Sequence, residues 1–276
     1  MKNEENLAYF LNEAKTIKPR ELGKKIRIAF LASSTINGFE ETMRVKCFQN
    51  GIDCITYVGD YNQYNQEILN KDSKLYQFKP DITFLILDTR HILGEHFFSP
   101  YSISHDDRVE IVHTKHKEIQ NICRAFKENF DSKLVVTSLQ IPNYSPYGIS
   151  EGGDYGLKDI IYKINYKLFN EFQQFAEEKV FIYDFNEFVS KFGGNNIFNY
   201  KQFFSGDIKI STEYIPKFVN ELMGYVYAIS GITKKCIVLD LDNTLWGGVI
   251  GEDGFDNIKI GDNPIGRSFV EFQKRL

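Results

Sequence analysis

Short apolar runs alternate with longer helical patterns before residue 190, and this alternation restricts the fold more than any other feature of the sequence. The runs begin at Ile26, Cys54, Asp81, Lys133 and Val180. Uniformly apolar strands joined by helical crossovers are typical of a parallel sheet that is covered by helices on both faces. We therefore predict a three-layer αβα fold with a parallel sheet of about five strands.

Helical spacing of apolar residues defines the segments between and around these runs. The predicted helices span residues 7–17, 39–50, 106–130, 157–178 and 212–230. Residues 193–211 show no such spacing, and we predict a loop there. A further apolar run, Lys234–Asp240, follows the last helix and predicts the first strand of a second domain.

Composition excludes several classes of protein. The chain has 33 basic and 37 acidic residues, so it has no excess of positive charge for a nucleic-acid backbone. No stretch approaches the roughly 20 apolar residues that span a bilayer, and the charged N-terminal segment does not resemble a signal peptide. The four cysteines form no CxxC pair, so neither a disulfide framework nor a zinc site is indicated. We expect a cytoplasmic protein that binds neither nucleic acid nor membranes.

Asp240, Asp242 and Thr244 form a D-x-D-x-T motif directly after the run Lys234–Asp240. The carboxyl ends of parallel strands are where α/β folds build their sites. Two carboxylates separated by one residue can share a crevice, where a divalent cation offsets their repulsion. One carboxylate can then attack phosphorus while the other transfers the proton of the leaving group.

Two other interpretations of this motif compete with a catalytic one. An EF-hand calcium loop that starts at Asp240 requires glycine at its sixth position, where the sequence has Leu245. A solvated turn is harder to exclude, because aspartate and asparagine are common at strand ends. A catalytic motif is favoured because two acids, a threonine and a double glycine follow an apolar run in the required order.

The segment Lys234–Gly254, KKCIVLDLDNTLWGGVIGEDG, resembles the first motif of the haloacid dehalogenase (HAD) superfamily, in the form characteristic of the FkbH-like proteins of subfamily IIIC. The long form DLDNTLWGG is more specific than D-x-D-x-T alone. Three upstream segments are similar to the domain that precedes the phosphatase domain in those proteins: ASSTINGFEE, YVGDYNQYNQEIL and KPDITFLIL. The resemblance covers nearly the whole chain.

This resemblance implies a role for each motif residue. Asp240 corresponds to the nucleophile and to a ligand of Mg²⁺. Asp242 corresponds to the acid/base residue, and its backbone carbonyl would be a second metal ligand. Thr244 matches the threonine that braces the motif, and we place it with the substrate-binding residues. Family members dephosphorylate phosphorylated small molecules, and some load a glyceryl unit onto an acyl carrier protein in polyketide or surface-polysaccharide biosynthesis. A phosphorylated small molecule and an acyl carrier protein are therefore the expected partners.

The resemblance also implies two domains: an SGNH-like α/β domain at residues 1–230 and the start of a HAD phosphatase domain at residues 231–276. A HAD phosphatase needs three further elements after this motif: a serine or threonine, a basic residue and an acidic pair. Only 36 residues follow Asp240. We therefore expect most of the catalytic domain to be missing from this chain, and the chain by itself to be nearly inactive as a phosphoric-ester hydrolase.

Ser33 and Ser34 follow the first strand, at the place where an SGNH (GDSL-like) hydrolase carries its nucleophile. In that arrangement the histidine base follows an aspartate near the end of the domain. The region after Val180 has Asp184 and Asp207 but no histidine, so an esterase is not favoured. We place Ser33 and Ser34 with the candidate substrate-binding residues instead. The alternative function is a non-catalytic SGNH-like module that binds an acyl carrier protein or an acyl group.

All five histidines fall within one short part of the sequence: His91, His96, His105, His113 and His116. His113 and His116 are three residues apart on a predicted helix, so they could share a metal ion. No HExxH pattern is present, and His91 and His96 are predicted to lie in a loop. A polar surface is the favoured interpretation of this cluster.

Overall fold

The chain divides into two units, Met1–Ser230 and Gly231–Leu276, which are called unit 1 and unit 2 below. A computed structural model describes residues 6–18, 24–145, 147–151, 153–172, 179–232 and 236–276. None of the described helices is long and apolar enough to cross a membrane.

Unit 1 contains five strands and twelve α-helices within its described residues. The strands are β1 (Lys24–Ala32), β2 (Ile52–Val58), β3 (Ile82–Ile86), β4 (Lys133–Thr137) and β5 (Val180–Tyr183). The helices are α1 (Leu7–Thr16), α2 (Phe39–Gln49), α3 (Tyr64–Leu69), α4 (Lys74–Phe78), α5 (Thr89–Leu93), α6 (Glu95–Phe98), α7 (His105–Asn129), α8 (Leu157–Phe172), α9 (Phe185–Phe192), α10 (Gly194–Ile197), α11 (Tyr200–Gly206) and α12 (Ile215–Ile229). Two 3₁₀ helices span Pro100–Ser102 and Gly148–Glu151.

The five strands form one parallel sheet in the order β2-β1-β3-β4-β5. This confirms the predicted three-layer α/β fold. This is the strand order of flavodoxin-like sheets. The connection after β1 leads to one side of the sheet and the connection after β2 leads to the other side, so the topological switch point lies between β1 and β3. The carboxyl ends of β1 and β3 therefore lie side by side at the switch point.

Each face of the sheet supports its own apolar core. Leu31, Leu85 and Val136 point to a core that is shared with α3, α7 and α8. Phe30 and Phe84 point the opposite way, to a core that is shared with α2, α9 and α12. This alternation follows from the two-residue period of a strand, and it explains why the strands are apolar at nearly every position.

Local signals explain where several helices begin. The longest helix, α7, starts at a capping box in which Ser104 and Asp107 exchange side-chain and backbone hydrogen bonds. Gly38 precedes α2 with a φ of +91°, and a Cβ at that position would lie 2.6 Å from Cδ1 of Leu7. Only glycine fits there, because both the backbone conformation and the packing exclude a side chain.

Two segments of unit 1 that were predicted to be loops are partly helical. Residues 193–211 contain α10 and α11, and residues 89–98 contain α5 and α6, so the predicted loop around His91 and His96 is wrong. These helices have four to seven residues, which is too short to show a helical period. The helix predicted at 157–178 is present as α8, and residues 173–178 lie outside the described part of the chain.

The described residues of unit 2 form two α-helices, α13 (Ile250–Asp253) and α14 (Pro264–Gln273), and a 3₁₀ helix at Phe255–Asn257. The predicted strand Lys234–Asp240 is wrong for its described residues, 236–240, which have no strand structure. Residues 234 and 235 lie outside the described part. A strand needs a neighbour with which to exchange hydrogen bonds, and residues 236–276 offer only isolated bridges, such as Gly247 with Lys259.

Candidate functional site

The carboxyl edge of the sheet in unit 1 carries a group of polar residues. β1 leads into Ser33 and Ser34, and β3 leads into Asp88. The backbone N–H of Asp88 donates to Oγ of Ser33 over 2.7 Å, so the two strand ends are joined at the switch point. Open α/β sheets bind their ligands in this crevice.

Asp88 is the centre of a buried charge cluster, and the side chain is only 1% exposed. Its Oδ1 accepts from the backbone N–H of Arg90 at 2.9 Å and from Nε of Arg90 at 3.2 Å, while Nη2 of Arg90 donates to Oδ2 at 2.8 Å. Nζ of Lys209 lies 3.7 Å from Oδ1, and its side chain is 4% exposed. One carboxylate thus faces two cations. The Arg90 guanidinium donates two hydrogen bonds to it, whereas Lys209 forms a longer ion pair with it and donates to the backbone oxygen of Leu87 at 3.4 Å.

Burial and neighbouring charges have opposite effects on the pKa values of Asp88 and Lys209. Burial alone would raise the pKa of Asp88, but the Lys209 ammonium and the hydrogen bonds from Arg90 hold that pKa well below its usual range. Burial lowers the pKa of Lys209, while the Asp88 carboxylate works in the opposite direction. The Asp88 carboxylate is therefore ionised at every physiological pH.

A cavity of about 210 Å³ opens beside the cluster. It is lined by Arg90, Phe97, Gln140, Pro142, Asn143, Tyr144, Gly194, Asn195, Phe198, Asn199, Tyr200, Phe203 and Lys209. The guanidinium carbon of Arg90 lies 3.3 Å from the centre of the Phe203 ring, so the ring fixes the plane of the guanidinium group. The wall, as far as the described residues form it, thus combines two cations, four side-chain amides and several aromatic rings, without a carboxylate.

A second polar group joins α5 to the residue that follows α11. Nε2 of His91 lies 2.9 Å from Oδ2 of Asp207, and the hydroxyl of Tyr61 donates to the same oxygen over 2.8 Å. Burial and the hydrogen bond to Asp207 raise the pKa of Tyr61 to about 12. Tyr61 therefore stays protonated and acts as a hydrogen-bond donor near neutral pH.

The two candidate serines are buried, with Ser33 0% and Ser34 3% exposed. The Ser33 hydroxyl is used by the Asp88 amide. Among the described residues, no histidine hydrogen-bonds to either serine, so the pair His91–Asp207 does not complete a Ser-His-Asp triad. The substrate-binding role of Ser33 and Ser34 stays a prediction.

In unit 2, a loop held by its own hydrogen bonds carries Asp240 and Asp242. Asp240 is exposed, and its Oδ1 accepts from the adjacent N–H of Leu241 at 2.9 Å. Oδ1 of Asp242 accepts from Nε1 of Trp246 at 3.1 Å and from the N–H of Ile250 at 3.2 Å. The first carboxylate is therefore accessible, whereas the second is held in place by the loop.

The rest of the motif shapes this loop. Thr244 is partly buried, and its N–H donates to the backbone oxygen of Leu241 at 3.2 Å. Oδ1 of Asn243 accepts from the N–H of Gly248 at 2.9 Å. Gly248 has a φ of +105°, and a Cβ there would lie 2.9 Å from Oδ2 of Asp253, so the second glycine of the motif is required by the turn.

Comparison with known proteins gives the family of the chain. The family model described as "FkbH, N-terminal domain" matches residues 27–227, which is most of unit 1. The chain belongs to the FkbH N-terminal domain family. The family predicted from the motif segments is thus confirmed. No match was found among curated proteins.

Solved structures extend the comparison of this FkbH-family chain beyond unit 1. The N-terminal part of the protein BF1531 from Bacteroides fragilis, which contains a phosphatase domain and is complexed with Mg, is 24% identical, with a TM-score of 0.81 over 98% of this chain and 69% of that one. The two proteins share their fold. The lipase Lip_vut3 from a goat rumen metagenome is 13% identical, with a TM-score of 0.48 over 73% of this chain and 98% of that one.

The FkbH motif residues match the chemistry of Mg²⁺ in kind. Asp240 offers an exposed carboxylate, the type of oxygen ligand that Mg²⁺ prefers, and this ion commonly takes one or two carboxylates and completes its shell with water and phosphate oxygens. Among the described residues, no group of three or more His, Cys, Asp or Glu side chains could hold a metal ion. The assignment of Asp240 and Asp242 as ligands of Mg²⁺ stays a prediction.

The sequence of this FkbH-family chain did not predict the buried charge cluster or the second polar group. These consist of Asp88, Arg90 and Lys209, and of the pair His91–Asp207. Asp88 carried a usable signal, because it directly follows the apolar run that ends at Leu87. Lys209 carried none, since a lysine in a polar segment is normally exposed.

Proposed function

We propose that this chain belongs to an FkbH-type protein that transfers phosphoryl or glyceryl groups, with Asp240 as the nucleophile and Asp242 as the acid/base. The observation that supports this proposal is the difference between the two aspartates of the motif. Asp240 is exposed, with a single hydrogen bond from its neighbour, whereas Asp242 is fixed by Trp246 and Ile250. A nucleophile must reach its substrate, and a proton donor must be held in position.

The proposed reaction has two steps. A carboxylate oxygen of Asp240 attacks the phosphorus atom of a phosphorylated small molecule, and the bond from phosphorus to the leaving oxygen breaks. Both hydrogen bonds to Asp242 fall on Oδ1, so Oδ2 gives the proton to the leaving oxygen. Water then attacks the aspartyl-phosphate, Asp242 accepts its proton, and phosphate leaves. Glyceryl transfer would use the same site on an activated phosphoglycerate.

In this proposal Mg²⁺ is the cofactor, and Asp240 and Asp242 are the residues of this chain that hold it. When bound, the ion neutralises the charge of the phosphoryl group and keeps Asp240 ionised. A complex with Mg is described for BF1531, whose fold this chain shares. The expected location of the protein is the cytoplasm.

Phosphatase activity of the full-length gene product towards a generic phosphoester tests this proposal. We expect Asp240→Asn to lower kcat at least about 100-fold, because a neutral amide cannot form the aspartyl-phosphate. Asp256→Asn is the matched control, since Asp256 is an exposed aspartate in the same unit, and it should leave the rate unchanged. Undiminished turnover by Asp240→Asn would overturn the assignment.

A second candidate function is that of a non-catalytic module that binds an acyl carrier protein or its acyl group. It is favoured by exposed aromatic side chains at and beside the cavity: Tyr144 is 46%, Tyr200 54% and Phe204 80% exposed. Aromatic residues of this kind are enriched at protein interfaces. Binding of a purified acyl carrier protein should weaken at least about fivefold in Tyr200→Ala and remain unchanged in Tyr166→Ala, an exposed tyrosine on α8. Absence of binding above background would count against this function.

A further inference from the structure

The cavity in unit 1 has a one-sided electrostatic character. Two of the side chains that line it are cationic, Arg90 and Lys209, and none is a carboxylate. Asp88 balances one of these charges from below the wall, with Oδ2 2.8 Å from Arg90 and Oδ1 3.7 Å from Lys209. The carboxylate of Asp207 also lies nearby, but it does not line the cavity and is engaged by Tyr61 and His91. Two carboxylates therefore act on the two cations, but among the described residues neither carboxylate lines the cavity, so the surface that faces a ligand is cationic.

Lys209 is the group whose surroundings are least complete. Its side chain is 4% exposed, and among the described residues its polar contacts are long: Nζ lies 3.4 Å from the backbone oxygen of Leu87 and 3.7 Å from Asp88. An ammonium group has three donors, and a buried charge is stable only when it is paired and hydrogen-bonded. An acceptor in the cavity would complete its shell.

Arg90 is held as a rigid partner for such an acceptor. Its Nε and Nη2 donate to Asp88, and its plane stacks on Phe203. Among the described residues Nη1 has no hydrogen-bond partner, so it is the donor of Arg90 that we assign to a ligand. A guanidinium that is fixed in this way loses little entropy when it binds an anion.

The remaining wall carries four side-chain amides beside its aromatic rings. Three asparagines and Gln140 line the cavity, and Nδ2 of Asn143 donates to Oδ1 of Asn195 at 2.8 Å. Side-chain amides can both donate and accept, which suits hydroxyl groups. The volume of about 210 Å³ is below the roughly 300–1,000 Å³ of pockets for drug-sized ligands.

We infer that this cavity binds the oxyanion group, a phosphate or a carboxylate, of a small polar molecule, with Lys209 and Arg90 as its cationic partners. All of the residues that line the cavity belong to unit 1.

Isothermal titration calorimetry with inorganic phosphate and with acetate tests this inference on the intact chain. We expect saturable binding of at least one of the two anions. The anion that binds with the lower Kd shows whether the site prefers a phosphate or a carboxylate group. Arg90→Gln and Lys209→Met should each weaken binding at least about tenfold. Arg124→Gln is the matched control, because Arg124 pairs with Glu171 and does not line the cavity, and it should stay within about twofold.

Asn195→Asp and Asn195→Ala form a second pair of variants that leaves the buried cluster intact. Asn195 is exposed, so neither change should affect folding. The new carboxylate should weaken anion binding well beyond the effect of alanine, by about fivefold or more. Absence of saturable binding, or equal affinities in Arg90→Gln, Asn195→Asp and the unmodified chain, would overturn the inference. Asp240→Asn should bind normally, and loss of binding in that variant would place the anion at the motif of unit 2 instead.

Discussion

Asp88 and Lys209 form a buried pair, and replacing Asp88 should lower the free energy of unfolding much more than replacing Lys209. Asp88→Asn keeps the shape of the side chain but leaves the buried Lys209 and the partly buried Arg90 without their shared carboxylate. The expected cost is about 3–5 kcal/mol of unfolding free energy, as for other buried pairs from which one partner is removed. Lys209→Met leaves Asp88 paired with Arg90 through the bond from Nη2 at 2.8 Å.

The expected magnitude for Lys209→Met follows from two opposing contributions. At 3.7 Å, the attraction between Nζ of Lys209 and the Asp88 carboxylate amounts to about 4.5 kcal/mol at an effective dielectric constant of about 20. Removing the ammonium from water costs several kcal/mol and offsets most of this attraction. We therefore expect Lys209→Met to lower stability by no more than about 2 kcal/mol.

Urea unfolding followed by far-UV circular dichroism measures both changes. The only tryptophan, Trp246, lies in unit 2, and its fluorescence is recorded in parallel to detect any change in that unit. Asp131→Asn is the control, because the Asp131 side chain is fully exposed, and it should stay within about 0.5 kcal/mol. Equal losses in Asp88→Asn and Lys209→Met would refute the reasoning.

The pH dependence of stability in the unmodified chain and in Asp88→Asn gives a further test. The pKa of Asp88 is lower in the folded chain than its unfolded value of about 3.9, so the unfolded state binds more protons as the pH falls below that value. The stabilisation is therefore complete above about pH 5 and is lost as the pH falls towards the folded pKa. The difference between the unmodified chain and Asp88→Asn should shrink below about pH 4, and a constant difference between pH 7 and pH 3 would contradict this.

Three further predictions concern other parts of the chain. Phe218→Ala should cost about 3–5 kcal/mol in a urea titration, because Phe218 is fully buried, while the exposed Phe204→Ala should cost less than about 0.5 kcal/mol. A serine-reactive fluorophosphonate should leave the chain unlabelled by intact-mass spectrometry, and labelling that Ser34→Ala abolishes would contradict the buried, unactivated serine. Trp246→Phe removes the hydrogen bond to Asp242, so amide exchange at residues 242–250 should accelerate about fivefold for a loss of about 1 kcal/mol, and unchanged exchange would show that this bond does not hold the loop.

The sheet could be predicted from the sequence because burial on both faces leaves a strong local signal. All five residues of β3 are buried, and all except Thr83 are apolar. The run Lys234–Asp240 carries a similar signal, yet its described residues form no strand. An apolar run indicates that a segment can form a buried strand if a neighbouring strand is present. Whether that neighbouring strand exists depends on other parts of the chain.

The charge cluster could not be predicted because its members meet only through the tertiary fold. Lys209 follows α11 in the sequence and reaches Asp88 across the edge of the sheet. Its burial depends on where Ile208 and Ile210 are placed by their bridges to Thr35 and Phe198. The sequence around Lys209 shows neither these contacts nor the stacking of Arg90 on Phe203.

The walls of the cavity come from segments that are far apart in the sequence, since Arg90 and Lys209 are 119 residues apart. Such a site exists only in the folded chain, so any molecule that occupies it must raise the free energy of unfolding. A ligand at 100 times its Kd adds about 2.7 kcal/mol. The melting temperature of unit 1 can thus show whether the cavity is occupied, even when the ligand is unidentified. Small acids that are ranked by the melting temperature each produces would also be ranked by their affinity for the cavity.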